Sequence, residues 1–277
     1  MISSNSSTKQ LSQGARLAAI LQLLEEKAFW AVSELADRFE VSEETIRRDA
    51  RHLEQSGVIQ KMHGGISATS NKIEAPYRIR FRENVAAKQR MAQTAAALVS
   101  EGMTLLLDSG TSCHWLARSL AHMQNLTIVT NSVEIGHEIL GNPGQRLLLA
   151  GGPVNQIHHA AFGPEASAFC RRFAPDLTVL SMSAVDAERG FLDFDADEAA
   201  FKQPLLERAR RVVVLADHTK FAKSGFILVA SFADVQDLVT DREPPADTVR
   251  AASLSGTRLH FSEDAPGDHH KGSADLG

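Results

Sequence analysis

Three arginines fall within five positions of the sequence: Arg47, Arg48 and Arg51. The apolar residues of the same segment recur at i, i+4 and i+7, which predicts a helix over 42–55 with one buried stripe: Ile46, Ala50 and Leu53. At about 100° of rotation per residue, the arginines lie on the opposite side of that helix. A short helix with this face fits the major groove of DNA, where arginine bonds bidentately to guanine.

The candidate DNA contacts are the exposed residues of this helix and the basic residues after it: Ser42, Glu44, Thr45, Arg47, Arg48, Arg51, His52, Lys61 and His63. The residues near the start of the helix are expected to approach base edges, which favours Thr45, Arg47 and Arg48. Lys61 and His63 are expected to contact phosphates. For any single arginine the alternative is a solvated helix face, but the combination favours DNA binding.

A second set of residues could bind an anion. Ser109, Thr111 and Ser112 place hydroxyl groups around Gly110, directly after an apolar run. Glycine permits a close approach of the backbone, and a helix that opens here presents N–H groups to an anion. Further polar loops follow later apolar runs: Asn131 with Ser132, Gly152, and Asp217 to Lys220. In an open α/β sheet such loops converge beyond the carboxyl ends of the strands, which predicts a pocket for a small phosphorylated polyol. The alternative for each loop alone is ordinary turn chemistry.

The elements around the arginines predict a winged helix-turn-helix. A helix over 14–27 is followed by helices for which Ser33 and Ser42 are candidate N-caps. Gly57 ends the arginine helix, and 58–60 with 66–68 predict a hairpin. Thr69 to Pro76 is polar and predicts a linker.

The rest of the chain predicts an α/β domain with a parallel sheet. After an Ala-rich helix from Glu83 to Val99, short apolar runs alternate with helical patterns: 105–107, 127–129, 147–150, 177–180 and 212–216. The expected division is a DNA-binding domain at 13–70, a linker and connecting helix at 71–90, an effector-sensing α/β domain at 91–250 and a flexible tail at 251–277.

Composition and charge narrow the class of protein. With 277 residues, 43% hydrophobic and 23% charged, the chain is an ordinary globular protein, and the net charge of −5 argues against bulk coating of nucleic acid. Residues 1–82 carry a balance of +2 and the remainder −7, so the two parts are expected to have different partners. No apolar stretch is long enough to cross a bilayer and no secretory signal is present, so no membrane partner is expected. Cys113 and Cys170 suit a reduced, cytoplasmic setting, with Cys113 as a small buried side chain.

The first part of the chain carries a specific set of residues: the run VSEETIRRD from Val41 to Asp49, then Leu53, Gly57 and His63-Gly64-Gly65. This set resembles the DNA-binding end of the DeoR family of bacterial transcriptional regulators. The resemblance implies a winged helix-turn-helix joined to an effector-sensing domain.

The second part carries matching stretches as well: LDSGT at 107–111, TNS at 130–132, GG at 151–152, VD at 185–186, EAAFK at 198–202 and ADHTKF at 216–221. They resemble the sensor domain of the same family, which is related in fold to ribose-5-phosphate isomerase. The resemblance implies an effector site lined by Asp108, Gly110, Thr111, Asn131, Asp186, Lys202 and Lys220. Together with the loops above, the candidate effector residues are Asp108, Ser109, Gly110, Thr111, Ser112, Asn131, Ser132, Gly152, Asp186, Lys202, Asp217 and Lys220.

Three positions depart from the family pattern, which usually has glycine where this chain has Ser181, Ala184 and Ala222. We expect side chains there to narrow or reshape the pocket. The run from Phe191 to Asp195 resembles the glycerol-3-phosphate-responsive branch of the family, and His218 is either structural or a ligand contact.

These observations favour a sequence-specific DNA-binding regulator, a repressor of carbohydrate or polyol genes, controlled by a sugar phosphate or glycerol 3-phosphate. Because useful specificity usually needs two half-sites, a homo-oligomer, dimer or tetramer, is expected. The alternative is a phosphosugar isomerase-like enzyme, with Asp108, Asp186, Glu198 and Lys202 as acid–base groups. A fused DNA-binding domain argues against it, so no catalytic residue, metal or cofactor is expected; the pair His158-His159 has no spaced third ligand.

Overall fold

The computed structural model describes residues 12–27, 29–55, 59–62, 64–68, 75–223 and 225–261. Three features expected from sequence lie outside these residues: the helix end at Gly57, His63, and positions 69–74 of the linker. The last part of the expected tail, 262–277, also lies outside them.

The head, residues 12–68, contains three helices and a three-stranded antiparallel sheet in the order β1-β3-β2. Its elements are α1 (Gln13–Glu26), β1 (Phe29–Ala31), α2 (Val32–Phe39), α3 (Glu43–Gln55), β2 (Ile59–Met62) and β3 (Gly65–Ala68). The winged helix-turn-helix is therefore confirmed. The sequence pattern missed β1, because three residues before a helix are too few to show the two-residue period of a strand.

The head has its own core, in which Ile20, Leu35, Ile46 and Leu53 are fully buried. The N-cap expected at Ser33 is wrong. The helix α2 begins at Val32 with Ala31 as its N-cap, two residues before the expected cap, and the Glu34 carboxylate accepts the Ala31 N–H at 3.1 Å.

Two short helices follow: α4 (Tyr77–Arg82) and α5 (Val85–Ala96). They are separated by Asn84, whose φ of 50° breaks the helical path. Met91 and Ala95 of α5 pack into the core of the next domain, so α5 runs across the boundary expected between 90 and 91.

The body, residues 85–261, is built on a seven-stranded parallel sheet in the order β15-β14-β12-β9-β4-β5-β6. The elements after α5 are β4 (Thr104–Leu107), α6 (Thr111–Ser119), β5 (Leu126–Thr130), α7 (Val133–Leu140), β6 (Gln145–Leu149), β7 (Val154–Asn155), β8 (Ala160–Ala161), α8 (Pro164–Cys170), β9 (Leu177–Ser181), β10 (Ala184–Asp186), β11 (Gly190–Asp193), α9 (Ala196–Leu206), β12 (Val212–Leu215), β13 (Ile227–Ala230), β14 (Asp237–Val239), α10 (Ala246–Ser255) and β15 (Arg258–His260). All five apolar runs that were expected to be strands belong to this sheet, which confirms the α/β fold class.

Helices cover both faces of the sheet. Leu105 and Leu107 of β4 pack toward α5, α6 and α7, whereas Leu106 packs toward α8 and α9. The chain runs outward from β4 through β5 to β6 and then returns to the other side of β4 at β9. The order in which the chain adds strands therefore reverses between β4 and β9. The loops after these two strands border the crevice where open α/β sheets bind ligands.

The C-terminal segment corrects the tail expected from residue 251. Residues 251–255 complete α10, and Leu259 of β15 pairs in parallel with Leu238 of β14. The sequence pattern missed this strand because its three residues alternate polar and apolar side chains at the edge of the sheet.

Candidate functional site

The helix α3 is positioned by its cap and its apolar stripe. The Ser42 hydroxyl accepts the Thr45 N–H at 3.2 Å and lies 2.9 Å from the Thr45 hydroxyl. Ile46, Ala50 and Leu53 are buried. The opposite face is exposed, and it carries the expected residues Ser42, Glu44, Arg47, Arg48, Arg51 and His52.

Two of the arginines on this face form surface ion pairs. Arg47 lies 2.6 Å from Glu43, and Arg51 lies 2.5 Å from Glu44. All four side chains are about half exposed, so another anion can readily replace the glutamate carboxylate in each pair. Glu44, expected as a DNA contact, thus forms an ion pair with Arg51.

A groove runs between α3 and the wing. Its volume is about 490 Å³, and its lining includes Arg47 and Arg51 from α3 with Lys61 and Gly64 from the wing. Lys61 is exposed and forms an ion pair with Glu54. Basic side chains from two elements therefore line one groove.

Sequence reasoning missed the residue that anchors α3. Asp49 is 1% exposed, and its carboxylate accepts the Arg16 Nε–H at 2.5 Å and the Gln13 amide at 3.2 Å. Both partners are on α1. The signal was available, since Asp49 directly precedes Ala50 and follows Ile46 by three positions on the buried side of α3.

In the body, Asp108 directly follows β4 and Ser181 is the last residue of β9, so the two lie on opposite sides of the crevice. The Ser181 hydroxyl donates to the Asp108 carboxylate at 2.8 Å, and the Ser181 N–H donates to it at 3.2 Å. Gly110 lies against the Ser181 side chain, because a Cβ on Gly110 would overlap the Ser181 hydroxyl. The serine that departs from the family pattern therefore fills space beside Gly110.

Lys202 lies beneath this crevice and faces three carboxylates. Its ammonium group donates to Asp193 at 2.8 Å, to Glu198 at 2.7 Å and to the Ser181 carbonyl at 2.7 Å, and it lies 3.3 Å from Asp108. Lys202, Asp108 and Asp193 have no exposed surface. We call Lys202 and its three carboxylate neighbours, Asp108, Asp193 and Glu198, the acidic cluster.

The charges of the acidic cluster are unbalanced. Burial alone would lower the pKa of Lys202, but the surrounding carboxylates outweigh burial and hold that pKa well above its ordinary value. One lysine faces three carboxyl groups, so the cluster has acceptor oxygens in excess. Such a cluster suits the hydroxyl groups of a ligand better than a phosphate.

Cations gather at the neighbouring strand end. Asp217 follows β12, and its carboxylate accepts the Thr219 N–H at 3.0 Å. Burial raises the pKa of Asp217, but Lys220, Thr219 and Lys88 outweigh burial and lower it. Lys88 of α5, which the sequence analysis did not single out, is 4% exposed and donates to the Arg80 carbonyl. Burial and repulsion from Lys220 lower the pKa of Lys88 to about 8.

The first turn of α6 lies at the same edge. Its N-cap is Gly110, and within the described residues no side chain caps this turn. Ser109, Thr111 and Ser112 beside it are buried. In contrast, the turns of α7 and α9 are capped by Ser132 and Asp195. The N–H groups of α6 thus face the crevice without a carboxylate or hydroxyl cap.

Other expected effector residues have structural partners. Asp186 accepts the N–H groups of Glu188 and Arg189, both at 2.9 Å, in the turn between β10 and β11. The Asn131 amide donates to the Ala161 carbonyl at 3.0 Å, while its buried Oδ1 has no hydrogen-bond partner in the described structure.

The last expected positions lie on loops or near other elements. Gly152 is exposed, with a φ of 122° that favours glycine. His218 donates its N–H to Asp241 at 2.7 Å and therefore has a structural contact. Of the remaining departures, Ala184 is buried in β10 and Ala222 is exposed.

The described residues form neither a metal site nor a reactive thiol. Among the described residues, no three His, Cys, Asp or Glu side chains form a group that could hold a metal ion. Cys113 is fully buried, as expected, and burial raises the pKa of its thiol. A search of the described helices found none long and apolar enough to cross a membrane.

Comparisons with known proteins divide the chain in the same way. Residues 16–72 match a family model described as a DeoR-like helix-turn-helix domain, and residues 83–242 match one described as the DeoR C-terminal sensor domain. The HTH-type transcriptional repressor CsqR of Escherichia coli K12 is 30% identical over 240 residues, which cover 87% of this chain and 92% of that protein. The glycerol-3-phosphate regulon repressor of the same organism is 29% identical, over 87% of this chain and 95% of that protein. Ribose 5-phosphate isomerase A from Methanocaldococcus jannaschii aligns with 50% of this chain and 55% of its own, at 16% identity and a TM-score of 0.38.

Proposed function

The chain belongs to the DeoR family of transcriptional regulators, and we propose that it represses carbohydrate or polyol genes until a phosphorylated polyol binds its body. The observation that carries the DNA-binding half is the exposed face of α3, with three arginines opposite a buried stripe. We propose that it acts in the cytoplasm, because a regulator must reach the chromosome that it binds.

The DNA contacts divide by position on the head. Thr45, Arg47 and Arg48, near the start of α3, are proposed to approach base edges in the major groove. Arg51 and Lys61 line the groove beside the wing and are proposed to contact phosphates. Because their glutamate partners are exposed, phosphates can replace them at little cost.

The effector is proposed to be a polyol phosphate with two distinguishable ends. The hydroxyl end would displace the Ser181 hydroxyl from Asp108 and so reach the buried acidic cluster, whose carboxylates offer acceptor oxygens. The phosphate end would face the uncapped turn of α6 and the cations Lys220 and Lys88. Glycerol 3-phosphate is the first candidate, because the name of one relative refers to it.

Lys88 gives this assignment a specific physical basis. Its lowered pKa reflects burial and the nearby charge of Lys220, so a dianionic phosphate at this edge would relieve the repulsion between the two lysines. We therefore add Lys88 to the candidate effector residues.

The regulator is proposed to act as a dimer or tetramer. Two heads at fixed spacing would read two half-sites, and effector binding would favour an arrangement of the bodies with the wrong spacing. Coupling is reciprocal, so DNA should weaken effector binding by the same factor.

Enzymatic turnover is not part of the proposal. An isomerase needs a base aimed at the proton it removes. Here the Asp108 carboxylate accepts two hydrogen bonds from Ser181 and lies beside Lys202, which supports a binding role for the cluster.

The proposal is tested by fluorescence anisotropy with a duplex from the chain's own promoter. Glycerol 3-phosphate is titrated into the complex, with glycerol and inorganic phosphate as the matched controls. We expect nanomolar duplex binding that weakens at least tenfold with glycerol 3-phosphate and less than twofold with either control. A duplex affinity unchanged by glycerol 3-phosphate, ribose 5-phosphate and fructose 6-phosphate would contradict the effector assignment.

A further inference from the structure

The helix α4 is held by both domains. Its Ile79 is 7% exposed and belongs to the core of the head. On its other side, the Tyr77 N–H donates to the Ile157 carbonyl of the body at 2.9 Å. Movement of α4 relative to the body therefore carries the head with it.

Three histidines of the body contact side chains of α4, beside Trp115, whose ring stacks on Phe81 at 5.2 Å between centroids. The Tyr77 hydroxyl lies 2.5 Å from His114 Nδ1, and its ring stacks on His159 at 5.1 Å between centroids. An Arg80 guanidinium nitrogen lies 3.3 Å from His158 Nδ1. His114 lies on α6, whose first turn belongs to the candidate effector site.

One of these contacts connects directly to the acidic cluster. Glu198 bonds to Lys202 through Oε1 at 2.7 Å, and its Oε2 lies 3.7 Å from His158 Nδ1. The opposite nitrogen of the ring, Nε2, lies 3.5 Å from Asp195. This contact with His158 lowers the pKa of Asp195 to about 2. Contacts thus run without a gap from Lys202 through Glu198 and His158 to Arg80.

The junction has room for movement. A cavity of about 870 Å³ lies beside α4, with a lining that includes Leu17 and His52 of the head, Arg78 of α4, and Val133 and Gln156 of the body. This part of the junction is therefore not close-packed like a protein interior, which leaves space beside α4.

We infer that His158 is the positioning residue that couples the effector site to the head, through its contact with Arg80. This inference rests on the proposed function. In the tautomer that donates from Nε2 to Asp195, the Nδ1 lone pair accepts from Arg80 and holds α4. A ligand that forms hydrogen bonds with the acidic cluster moves Glu198. This movement changes the electrostatic potential at His158 Nδ1 and weakens its contact with Arg80. The head then reorients about α4.

The test compares two variants of the full-length chain, His158→Asn and His158→Gln. The Asn side chain places an acceptor near the Nδ1 position and can keep Arg80, whereas Gln reaches the Nε2 position and keeps Asp195 alone. Thermal unfolding confirms that each variant folds. Calorimetry measures glycerol 3-phosphate binding without DNA, and anisotropy measures the Kd for the promoter duplex with and without glycerol 3-phosphate.

We expect both variants to bind glycerol 3-phosphate within threefold of the wild-type Kd. The factor by which glycerol 3-phosphate changes the duplex Kd is expected to survive in His158→Asn and to fall to a third or less in His158→Gln. A His158→Gln chain that keeps the full factor overturns the inference, and a merely structural residue would not lose this factor selectively.

If glycerol 3-phosphate does not bind the wild-type chain, the ligand of the proposed function is wrong and the inference is decided without ligand. A double-mutant cycle on duplex Kd then combines Glu198→Gln with His158→Gln. Coupling of threefold or more supports the inference, and a smaller value overturns it. The matched control combines Glu198→Gln with His159→Gln, whose effects are expected to be additive within twofold.

Discussion

The charged residues of α3 and those of the acidic cluster show opposite uses of the ion pair. Arg47 and Glu43 are 54% and 46% exposed, whereas Lys202 and Asp108 have no exposure at all. In water an ion pair contributes at most about 1 kcal/mol and is easily exchanged. In the interior, removal of one partner leaves charges without compensation and costs about 3–5 kcal/mol. The head can therefore trade its carboxylates for DNA phosphates, while the body must keep its cluster complete.

The largest expected effect is on DNA binding. Charge reversal of Arg47, Arg48 and Arg51 to Glu removes contacts of about 1–3 kcal/mol each, so the duplex Kd should rise on the order of 1,000-fold. Because the three side chains are exposed, the thermal midpoint should barely change. Anisotropy and thermal unfolding check both outcomes.

The matched control reverses three exposed arginines of the body: Arg171, Arg172 and Arg208. It makes the same change in net charge, so a comparable loss of affinity in this control would mean that long-range charge, not α3, binds DNA.

The next largest effect is on the stability of the body. The substitution Lys202→Met leaves the three carboxylates of the cluster without a cation and should lower the unfolding free energy by about 3–5 kcal/mol at pH 7. Urea denaturation of the variant and the wild-type chain at pH 7 measures this difference.

The control is Arg210→Met, which breaks the exposed pair with Asp176 at 3.2 Å. Its effect should stay below about 1 kcal/mol. Equal losses in the two variants would show that burial does not distinguish these pairs.

A third prediction tests whether burial, and not the domain in which an ion pair lies, sets the contribution of that pair to stability. Among its described residues the head contains one buried pair, Arg16 with Asp49, at 9% and 1% side-chain exposure. The substitution Asp49→Ala should lower the unfolding free energy of the head by about 3 kcal/mol and weaken duplex binding, since α3 loses its anchor on α1. The control Asp37→Ala removes an exposed carboxylate, and hydrogen exchange over α3 should be unchanged in it.

A smaller effect is expected at Lys88. Burial and the charge of Lys220 lower its pKa from an ordinary value of 10.5 to about 8 in the folded chain, so between these pH values the unfolded chain binds more protons. Stability should therefore rise as pH increases from about 8 to 10.5. Lys88→Met should abolish this rise and weaken glycerol 3-phosphate binding about tenfold. The Arg80 carbonyl keeps its bond from the Glu83 N–H at 3.2 Å, so the fold should tolerate the change.

The control is Lys223→Met, at a half-buried position in the same loop region as Lys220. A Lys88→Met chain with the wild-type pH profile would contradict the assignment of Lys88.

The smallest effect concerns a departure from the family pattern. Ser181→Gly removes the hydroxyl that donates to Asp108 and opens the space against Gly110. We expect glycerol 3-phosphate to bind about threefold tighter, since Asp108 can then accept from a ligand hydroxyl, and the chain to lose about 1 kcal/mol of stability. Ala222→Gly, at an exposed position, is the control and should leave the affinity unchanged.

The sequence alone determined the local features of this protein. The 3.6-residue period placed Ile46, Ala50 and Leu53 on the buried side of α3 and the arginines opposite them, because helical geometry converts spacing directly into faces. The apolar runs likewise identified five strands of the parallel sheet, since strands covered on both faces are apolar throughout.

Only the tertiary structure decided which polar and charged side chains come into contact. Asp49 and Arg16 are 33 positions apart, and Ser181 and Asp108 are 73 apart, so no local period relates them. The strands β14 and β15 have three residues each, too few to be predicted from a pattern of apolar residues, so they follow from pairing in the sheet. The burial of Lys88 likewise depends on the sheet beneath α5. A side chain's environment in the body follows from strand order, and strand order is set by long-range packing, whereas the faces of a single helix follow from the chain itself.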